Sequence, residues 1–492
     1  MRQRELAVLA WAAALLAVAL GSWGISEASL WLDETFTVHD ARRSLADIVT
    51  MQNEAYGGAH HPGGYFLVVK AAMAICGAHE TCVRLPSVLA NAALAAVIVI
   101  LAARLFGRTA AIAAAIVWPA LPYALKYAQQ ARHYSLLGLV TALALLLAVR
   151  ALAKDGGAQA ERRTFVLLGL TAGLALWVHL FAVPFLVGLA LFCMGWQLKE
   201  RAVSWQHWAI AIAVALFVAA PLLPGMWKVW ATSGGGQLES RAGPIENAAE
   251  LTRDLLTFGL DSWWVPGIAA FALVPGPWSR RALVLGLFLV AVFPLSGVLL
   301  RNPQHFVALR YFMPSLAAIA VLQAAGVAAI VSLARMLAQR VRPQHERLLG
   351  AVIAVLILAW PTLVLARLHV AGIAKQYDTA DFEPWDRIAE SIHTHALDGD
   401  LTVVVPYVFV RFPFEVYELP TEILDPEADD FAARLRDHQG TIFVVTSHID
   451  RPERVAQRGR TMRTLTRAGF VRRPLPGVAR EANIELLAYQ RI

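Results

Sequence analysis

Two adjacent carboxylates, Asp33 and Glu34, stand in the run Leu30-Trp31-Leu32-Asp33-Glu34-Thr35, directly after the first hydrophobic segment of the chain. Tryptophan and leucine on either side would hold the pair at a membrane surface. A carboxylate held there suits a general base that takes a proton from a hydroxyl near a lipid-borne substrate. The same pair also suits the N-cap of an interfacial helix starting near Thr35, a role worth about 1 kcal/mol. Catalysis is the stronger reading only if other reactive side chains converge on the same place.

Several do. His60-His61-Pro62 opens a short apolar stretch with Tyr65 one turn along. A helix N-terminus attracts anions, so a histidine beside it can hold a phosphate; two loop histidines before a helix-starting proline are the plain alternative. In Tyr127-Ala128-Gln129-Gln130-Ala131-Arg132-His133-Tyr134, helical spacing would put Gln129, Arg132 and His133 on one face. Arg132 cannot shed its charge, so it either meets an anion such as Asp33 or a phosphate, or snorkels to head groups. Arg84 offers another cation, and Arg310-Tyr311 adds one more with a phenol, though interfacial anchoring explains Tyr311 equally well. His179, after Trp177-Val178, reads as a packed or interfacial histidine. No Cys or His spacing matches a ligand set, so neither metal nor cofactor is expected.

These residues must be positioned by membrane helices. Of 492 residues 58% are hydrophobic and only 16% charged, which excludes an ordinary soluble protein. Apolar stretches long enough to span, about 20 residues, recur. They fall near 6–25, 85–103, 109–125, 134–152, 164–180, 182–197, 207–228, 264–276, 281–300, 311–334 and 348–367, with 264–276 the shortest. Arg2 and Arg4 place the N-terminus in the cytoplasm by the positive-inside rule. Alternation then puts Arg104/Arg108, Arg150/Lys154/Arg162/Arg163, Lys199/Arg201, Arg280/Arg281 and the Arg335–Arg347 cluster inside as well. That agreement accounts for the net charge of +7 without nucleic acid as a partner. A cleavable signal peptide would also fit residues 1–25, and either way Asp33 lies outside.

Residues 62–75 are apolar but too short to span, which leaves 26–83 as one extracytoplasmic loop lying partly on the membrane. Within it, Cys76 and Cys82 sit on the oxidising side, where a disulfide is plausible. From about residue 370 the composition turns soluble. Leu401–Pro406, Thr421–Leu424, Thr441–Ser447 and Ile484–Tyr489 read as strands, and Pro384–His395, Pro426–Asp437 and Arg451–Ala468 as helices. The expectation is an all-α polytopic membrane body (1–369) of about 11 spans plus interfacial helices, followed by a small extracytoplasmic α/β domain (370–492).

The order of motifs resembles the polyprenyl-phosphate-sugar-dependent glycosyltransferases of GT-C fold. That group includes the dolichyl-phosphate-mannose–protein mannosyltransferases and the bacterial lipid A aminoarabinose transferases. The matching pieces are Asp33-Glu34, His61-Pro62 with Tyr65, Arg84-Leu85-Pro86-Ser87, Leu105-Phe106-Gly107-Arg108, Gln129-Gln130-Ala131-Arg132-His133-Tyr134, Arg310-Tyr311 and the tail's Tyr407…Phe412-Pro413-Phe414…Tyr417. The resemblance implies Asp33 as catalytic base with Glu34 beside it, His61 near the lipid phosphate, and Arg84 and Arg132 organising the site. It also implies a polyprenyl-phosphate-linked donor and a lipid, glycan or protein acceptor, with the protein in the cell membrane and the site outside. The chain departs from the family in Pro62-Gly63 where Pro-Pro is usual, which would loosen the start of the helix, and in Gln130 where Glu is frequent.

The chemistry is coherent on its own terms. A sugar on polyprenyl phosphate already carries a good leaving group, so the transition state needs cations for the phosphate and a base for the acceptor, with inversion at the anomeric carbon. A transporter or flippase of a lipid-linked sugar would also gather cations. It would, however, show internal repeats and polar groups at mid-bilayer, and neither is evident. The loop 229–262, with Ser233-Gly234-Gly235-Gly236 before Glu239, Arg241, Glu246 and Asp254, reads either as a mobile cover for the acceptor or as a plain connector.

Overall fold

A computed structural model of the chain describes residues 2–50, 61–153, 158–200, 204–225, 264–273, 312–341, 383–449, 452–475 and 484–491, with isolated positions between. Helices α1 (Gln3–Ser22), α2 (Leu32–Arg42), α3 (Leu45–Val49), α4 (Gly64–Cys76), α5 (Glu80–Phe106), α6 (Arg108–Val117), α7 (Pro122–Ala128) and α8 (Tyr134–Leu152) come first. They are followed by α9 (Ala158–Val178), α10 (Ala182–Glu200), α11 (Trp205–Ala219), α12 (Trp264–Ala270) and α13 (Met313–Val341). In lipid, an isolated run of backbone polar groups can be satisfied only within a helix, so the apolar stretches have one outcome.

Among the described residues five helices are long and apolar enough to cross a membrane: Gln3–Ser22, Glu80–Phe106, Tyr134–Leu152, Trp205–Gly225 and Met313–Met336. The stretch expected as a span over 109–125 is instead α6 and α7, bent by 58° at the break. Pro119 and Pro122 sit at the bend, and neither has an N–H to continue the helical ladder. Of the stretch at 264–276 the described residues form α12 and a 3-10 turn over Phe271–Leu273. The expected spans 281–300 and 348–367, and the loop 229–262, lie outside the described residues apart from isolated positions.

α1 packs on α5 through a face of small residues, Ala10, Ala13, Ala14, Ala17 and Gly21, which lets the backbones approach. Leu94, Ile98, Phe106, Trp118, Leu145, Leu316 and Ala320 fill the space between α5, α6, α8 and α13. One polar pair lies inside, Trp118 Nε1–H donating to Asn91 Oδ1 at 3.0 Å. The described part of the loop 26–83 contains α2, α3 and α4, and α5 begins at Glu80 rather than Leu85. A disulfide joins Cys76 at the end of α4 to Cys82. The expectation that Pro62-Gly63 loosens the start of α4 gives way to close packing. Gly63 lies against the Ile48 carbonyl and Gly64 against the Trp177 carbonyl, where a Cβ would collide.

The last quarter adds α14 (Trp385–His395), β1 (Leu401–Val405), α15 (Tyr407–Val416), β2 (Glu422–Leu424), α16 (Phe431–Asp437), β3 (Ile442–Ser447), α17 (Pro452–Arg467), β4 (Phe470–Arg473), β5 (Arg480–Glu481) and β6 (Ile484–Arg491). The strands form one sheet in the order β2-β1-β3-β6-β4, with β5 on β6. β1 is parallel to both β2 and β3, and β6 runs antiparallel to β3 and β4. Both faces are covered. Trp385, Ile388, Phe414, Phe443 and Leu486 pack on one side, and Val403, Phe431, Leu435, Val444 and Leu465 on the other. That explains why β1 and β3 are apolar without alternation.

Candidate active site

The expected residues gather where the C-terminal end of α1 meets the N-terminal ends of α2 and α5, the α7–α8 turn and the α9–α10 turn. α2 presents Asp33 and Glu34 in its first turn. Glu34 is fully buried and saturated. Its Oε1 accepts from Arg84 Nε at 2.8 Å and from the Ala131 N–H at 2.6 Å. Its Oε2 accepts from Arg84 Nη2 at 2.6 Å and from the Trp31 N–H at 3.2 Å, so the N3 carboxylate satisfies the N-cap amide of α2. Arg84 directs its remaining protons to main-chain carbonyls: Nη1 to Ile25 at 2.7 Å and Ala28 at 2.8 Å, Nη2 to Ser29 at 2.9 Å. All five guanidinium protons are therefore placed. The sequence reading set Glu34 beside the base and Arg84 among substrate-binding groups; the structure bonds them to each other and to the turn between α1 and α2.

Asp33 is different. Its side chain keeps 14% exposure, and its Oδ2 lies 3.8 Å from Nη2 of Arg132, near enough for electrostatic pairing but too far for a hydrogen bond. Arg132, buried, is aimed by Nη1, which donates to the Asp33 main-chain oxygen at 3.0 Å and to Thr37 Oγ1 at 3.3 Å. The Arg132 carbonyl accepts from Ser87 Oγ at 3.0 Å, and that hydroxyl meets Tyr65 Oη at 2.7 Å. Burial, only partly offset by this hydrogen bond, pushes the Tyr65 phenol well above its ordinary value, so it stays a neutral hydroxyl.

Three imidazoles converge beside this pair. His133 stacks on His179 with ring centroids 4.2 Å apart, and His61 lies 6.4 Å from His133 and 6.0 Å from His179. His179 Nδ1 accepts the Phe181 N–H at 3.0 Å, which leaves a ring proton to Nε2. His179 was read from sequence as packing; its place after Trp177-Val178, at the same end as the other polar clusters, was the available signal. Tyr134 is buried against His133 at 4.4 Å, with Arg132 5.8 Å above its ring. Gln129 braces α1, its Nε2 donating to the Trp23 carbonyl at 2.6 Å. His60, Arg310 and Tyr311 lie outside the described residues. Among the described residues no group of three or more His, Cys, Asp or Glu is arranged to hold a metal ion.

A neighbour that sequence reasoning did not place is α15. Its Phe412 ring meets Phe36 at 4.9 Å and His39 at 4.6 Å, both on α2. His39 Nδ1–H donates to Glu415 Oε2 at 2.9 Å, and this bond holds the Glu415 carboxyl below its usual range.

Fold and site together define a multi-pass helical membrane protein whose carboxylates, guanidinium groups and imidazoles are gathered at one end of its apolar helices. Residues 60–227 match the family model described as dolichyl-phosphate-mannose-protein mannosyltransferase, a segment that includes His61, Arg84 and Arg132 but not Asp33. Two crystal structures of ArnT from Cupriavidus metallidurans share the fold at 16% identity. The apo form aligns with a TM-score of 0.64 over 96% of both chains. The form bound to undecaprenyl phosphate aligns at 0.62 over 99% of this chain and 98% of the other. The apo oligosaccharyltransferase of Archaeoglobus fulgidus aligns at 0.54 with 12% identity, covering 98% of this chain and 75% of that one. No curated protein sequence matches the chain. The resemblance to GT-C glycosyltransferases read from the motifs is thus borne out.

Proposed function

We propose that this protein is a membrane glycosyltransferase that moves a hexosyl or pentosyl group from a polyprenyl-phosphate donor to an extracytoplasmic acceptor hydroxyl, with inversion and with Asp33 as general base. The observation that carries the proposal is the contrast within the acidic pair: Glu34 is saturated and sealed, while Asp33 keeps solvent access beside a buried guanidinium. The family-model match and the shared fold with an undecaprenyl-phosphate-bound ArnT support the donor class.

In this reading the acceptor O–H gives its proton to an Asp33 carboxylate oxygen as the oxygen attacks the anomeric carbon. The bond from that carbon to the phosphate oxygen breaks, and polyprenyl phosphate leaves with the electron pair. Arg132 and His61, with His60 and Arg310 as further candidates, stabilise the charge that develops there. Gln129, Tyr65, Tyr134 and Tyr311 complete the substrate-binding set of this reading, and Glu34–Arg84 is its scaffold. The positive-inside pattern supports an extracytoplasmic site, and in this reading the α/β unit of residues 370–492 lies on the same side as the site of the 1–369 body.

The test is sugar transfer from a defined polyprenyl-phosphate donor in reconstituted membranes, comparing wild type with Asp33→Asn. Donor consumption that requires Asp33 supports the transferase. Labelled lipid crossing the bilayer without consumption would replace it with a transporter.

A further inference from the structure

Helix α2, which carries Asp33, is capped by a residue 351 positions away. Glu383 Oε2 accepts the Leu32 N–H at 2.8 Å, and Leu32 is the first residue of α2, whose amide has no partner within the helix. The same oxygen accepts Trp385 Nε1–H at 2.7 Å, and the Glu383 carbonyl accepts from Ser29 Oγ. On the other oxygen, His448 Nε2–H donates to Oε1 at 3.0 Å. The His448 ring is fixed from behind as well: Nδ1 pairs with the buried Ser447 Oγ at 2.8 Å, and Arg454 Nη1 donates to the His448 carbonyl at 3.0 Å. His448 has φ of 54°, a left-handed backbone that non-glycine residues rarely adopt and that persists where the surroundings over-determine it.

A continuous chain of contacts therefore runs from the end of β3 through Ser447, His448 and Glu383 to the amide next to Asp33. The carboxyl ends of β1 and β3 form the edge where open α/β sheets usually take ligands, and here that edge is turned onto α2. The rest of α2 is clamped too. Tyr417 Oη accepts the Leu30 N–H at 2.9 Å and donates to Glu80 Oε1 at 3.0 Å. At the far end, Lys70 Nζ donates to the Ala41 carbonyl at 3.0 Å and the Arg43 carbonyl at 2.7 Å.

We infer that Glu383, backed by His448 and Ser447, is a positioning residue for Asp33, so that the C-terminal sheet sets the direction in which the base is presented. This rests on the transferase reading above. An acceptor-binding role for the same edge would place Glu383 in contact with substrate; its saturation by Leu32, Trp385 and His448 argues for positioning.

The experiment uses the full chain in reconstituted membranes, as wild type, Glu383→Ala and Glu383→Gln. Two readouts are taken: kcat and KM for the polyprenyl-phosphate donor, and amide hydrogen exchange over residues 30–36. Glu383→Ala is expected to lower kcat about ten- to hundredfold with KM unchanged, and to speed exchange at the start of α2. Glu383→Gln keeps an oxygen for the Leu32 amide and should restore most of both. Wild-type kcat in Glu383→Ala, a loss confined to KM, or unchanged exchange would each overturn the inference while leaving the transferase intact. Wild type that transfers no sugar would instead remove the transferase reading. The positioning role would fall with it, and exchange would then report only a structural cap.

Discussion

Two carboxylate–guanidinium pairs lie one residue apart on α2, and they are built to opposite specifications. Glu34 and Arg84 touch at 2.6 Å in full burial, with every acceptor and donor occupied. Asp33 and Arg132 stand 3.8 Å apart, with the carboxylate partly open. Each pair joins a carboxylate to an arginine, and beyond the one methylene by which glutamate exceeds aspartate the difference lies in the surroundings. A saturated ion pair without solvent has no capacity left for a substrate; it fixes backbone, here the turn between α1 and α2 and the loop at Ala131. In the other pair Arg132 is oriented by hydrogen bonds to the Asp33 carbonyl and Thr37, and the carboxylate beside it is not sealed from solvent. One pair builds the local fold, and the other is the pair to which the transferase reading proposed above assigns the chemistry.

The largest effect expected from this contrast is at Arg84. Arg84→Ala would strand the Glu34 carboxylate in a site without water, a change that typically costs about 3–5 kcal/mol. Thermal unfolding in detergent should show a large fall in Tm, with activity lost alongside. A variant as stable as wild type would erase the distinction between the pairs. Asp33→Asn should do the reverse. Transfer should fall about 10²- to 10⁴-fold while the unfolding midpoint stays close to wild type. A stability loss in that variant comparable to Arg84→Ala would make Asp33 a second scaffold residue.

The contrast was only half visible in the sequence. The acidic pair, Arg84, Arg132 and His61 were legible because polar residues at the ends of apolar segments are costly unless they share a wet site. Which carboxylate is sealed was not legible, since that depends on Ala131, Ile25, Ala28 and Ser29 supplying main-chain partners from two separate segments. Spans with unbroken apolar runs, such as 134–152, coincide with their helices, whereas 109–125 hid a break marked by Pro119 and Pro122. Strands Leu401–Val405 and Ile442–Ser447 were plain from β-branched runs. The helix Tyr407–Val416 was not, because Pro413 inside it argues against a helix and its purpose is tertiary contact with α2.

A smaller effect sharpens the description of how Arg132 is held. The Tyr65 hydroxyl is bonded to Ser87, so Tyr65→Phe removes one buried hydrogen bond and leaves Ser87 bonded to the Arg132 carbonyl. The expected cost is about 0.5–1.5 kcal/mol in unfolding, with transfer reduced severalfold at most. A loss matching that of Asp33→Asn would show that the phenol acts on substrate directly.

The smallest effect concerns the seam between α2 and α15. The Glu415 carboxyl is held below its ordinary value, first by the hydrogen bond from His39 and then by the charges of His39, Arg411 and Arg42. A carboxyl depressed in the folded state contributes stability above its unfolded pKa of about 4.3 and loses that contribution as pH falls through the lower folded value. The seam should therefore be unchanged from neutrality down to about pH 5 and loosen only in stronger acid. Both partners are partly open to solvent, so the contribution is at the scale of surface pairs, about 0–1 kcal/mol. Hydrogen exchange over residues 36–42 and 407–416, followed from pH 7 to pH 3 with correction for intrinsic rates, should show protection falling at the acid end in wild type. In Glu415→Gln that step should be absent. Loosening that begins well above pH 5 instead, or that persists in Glu415→Gln, would show that the Glu415 carboxyl does not set the transition at this seam.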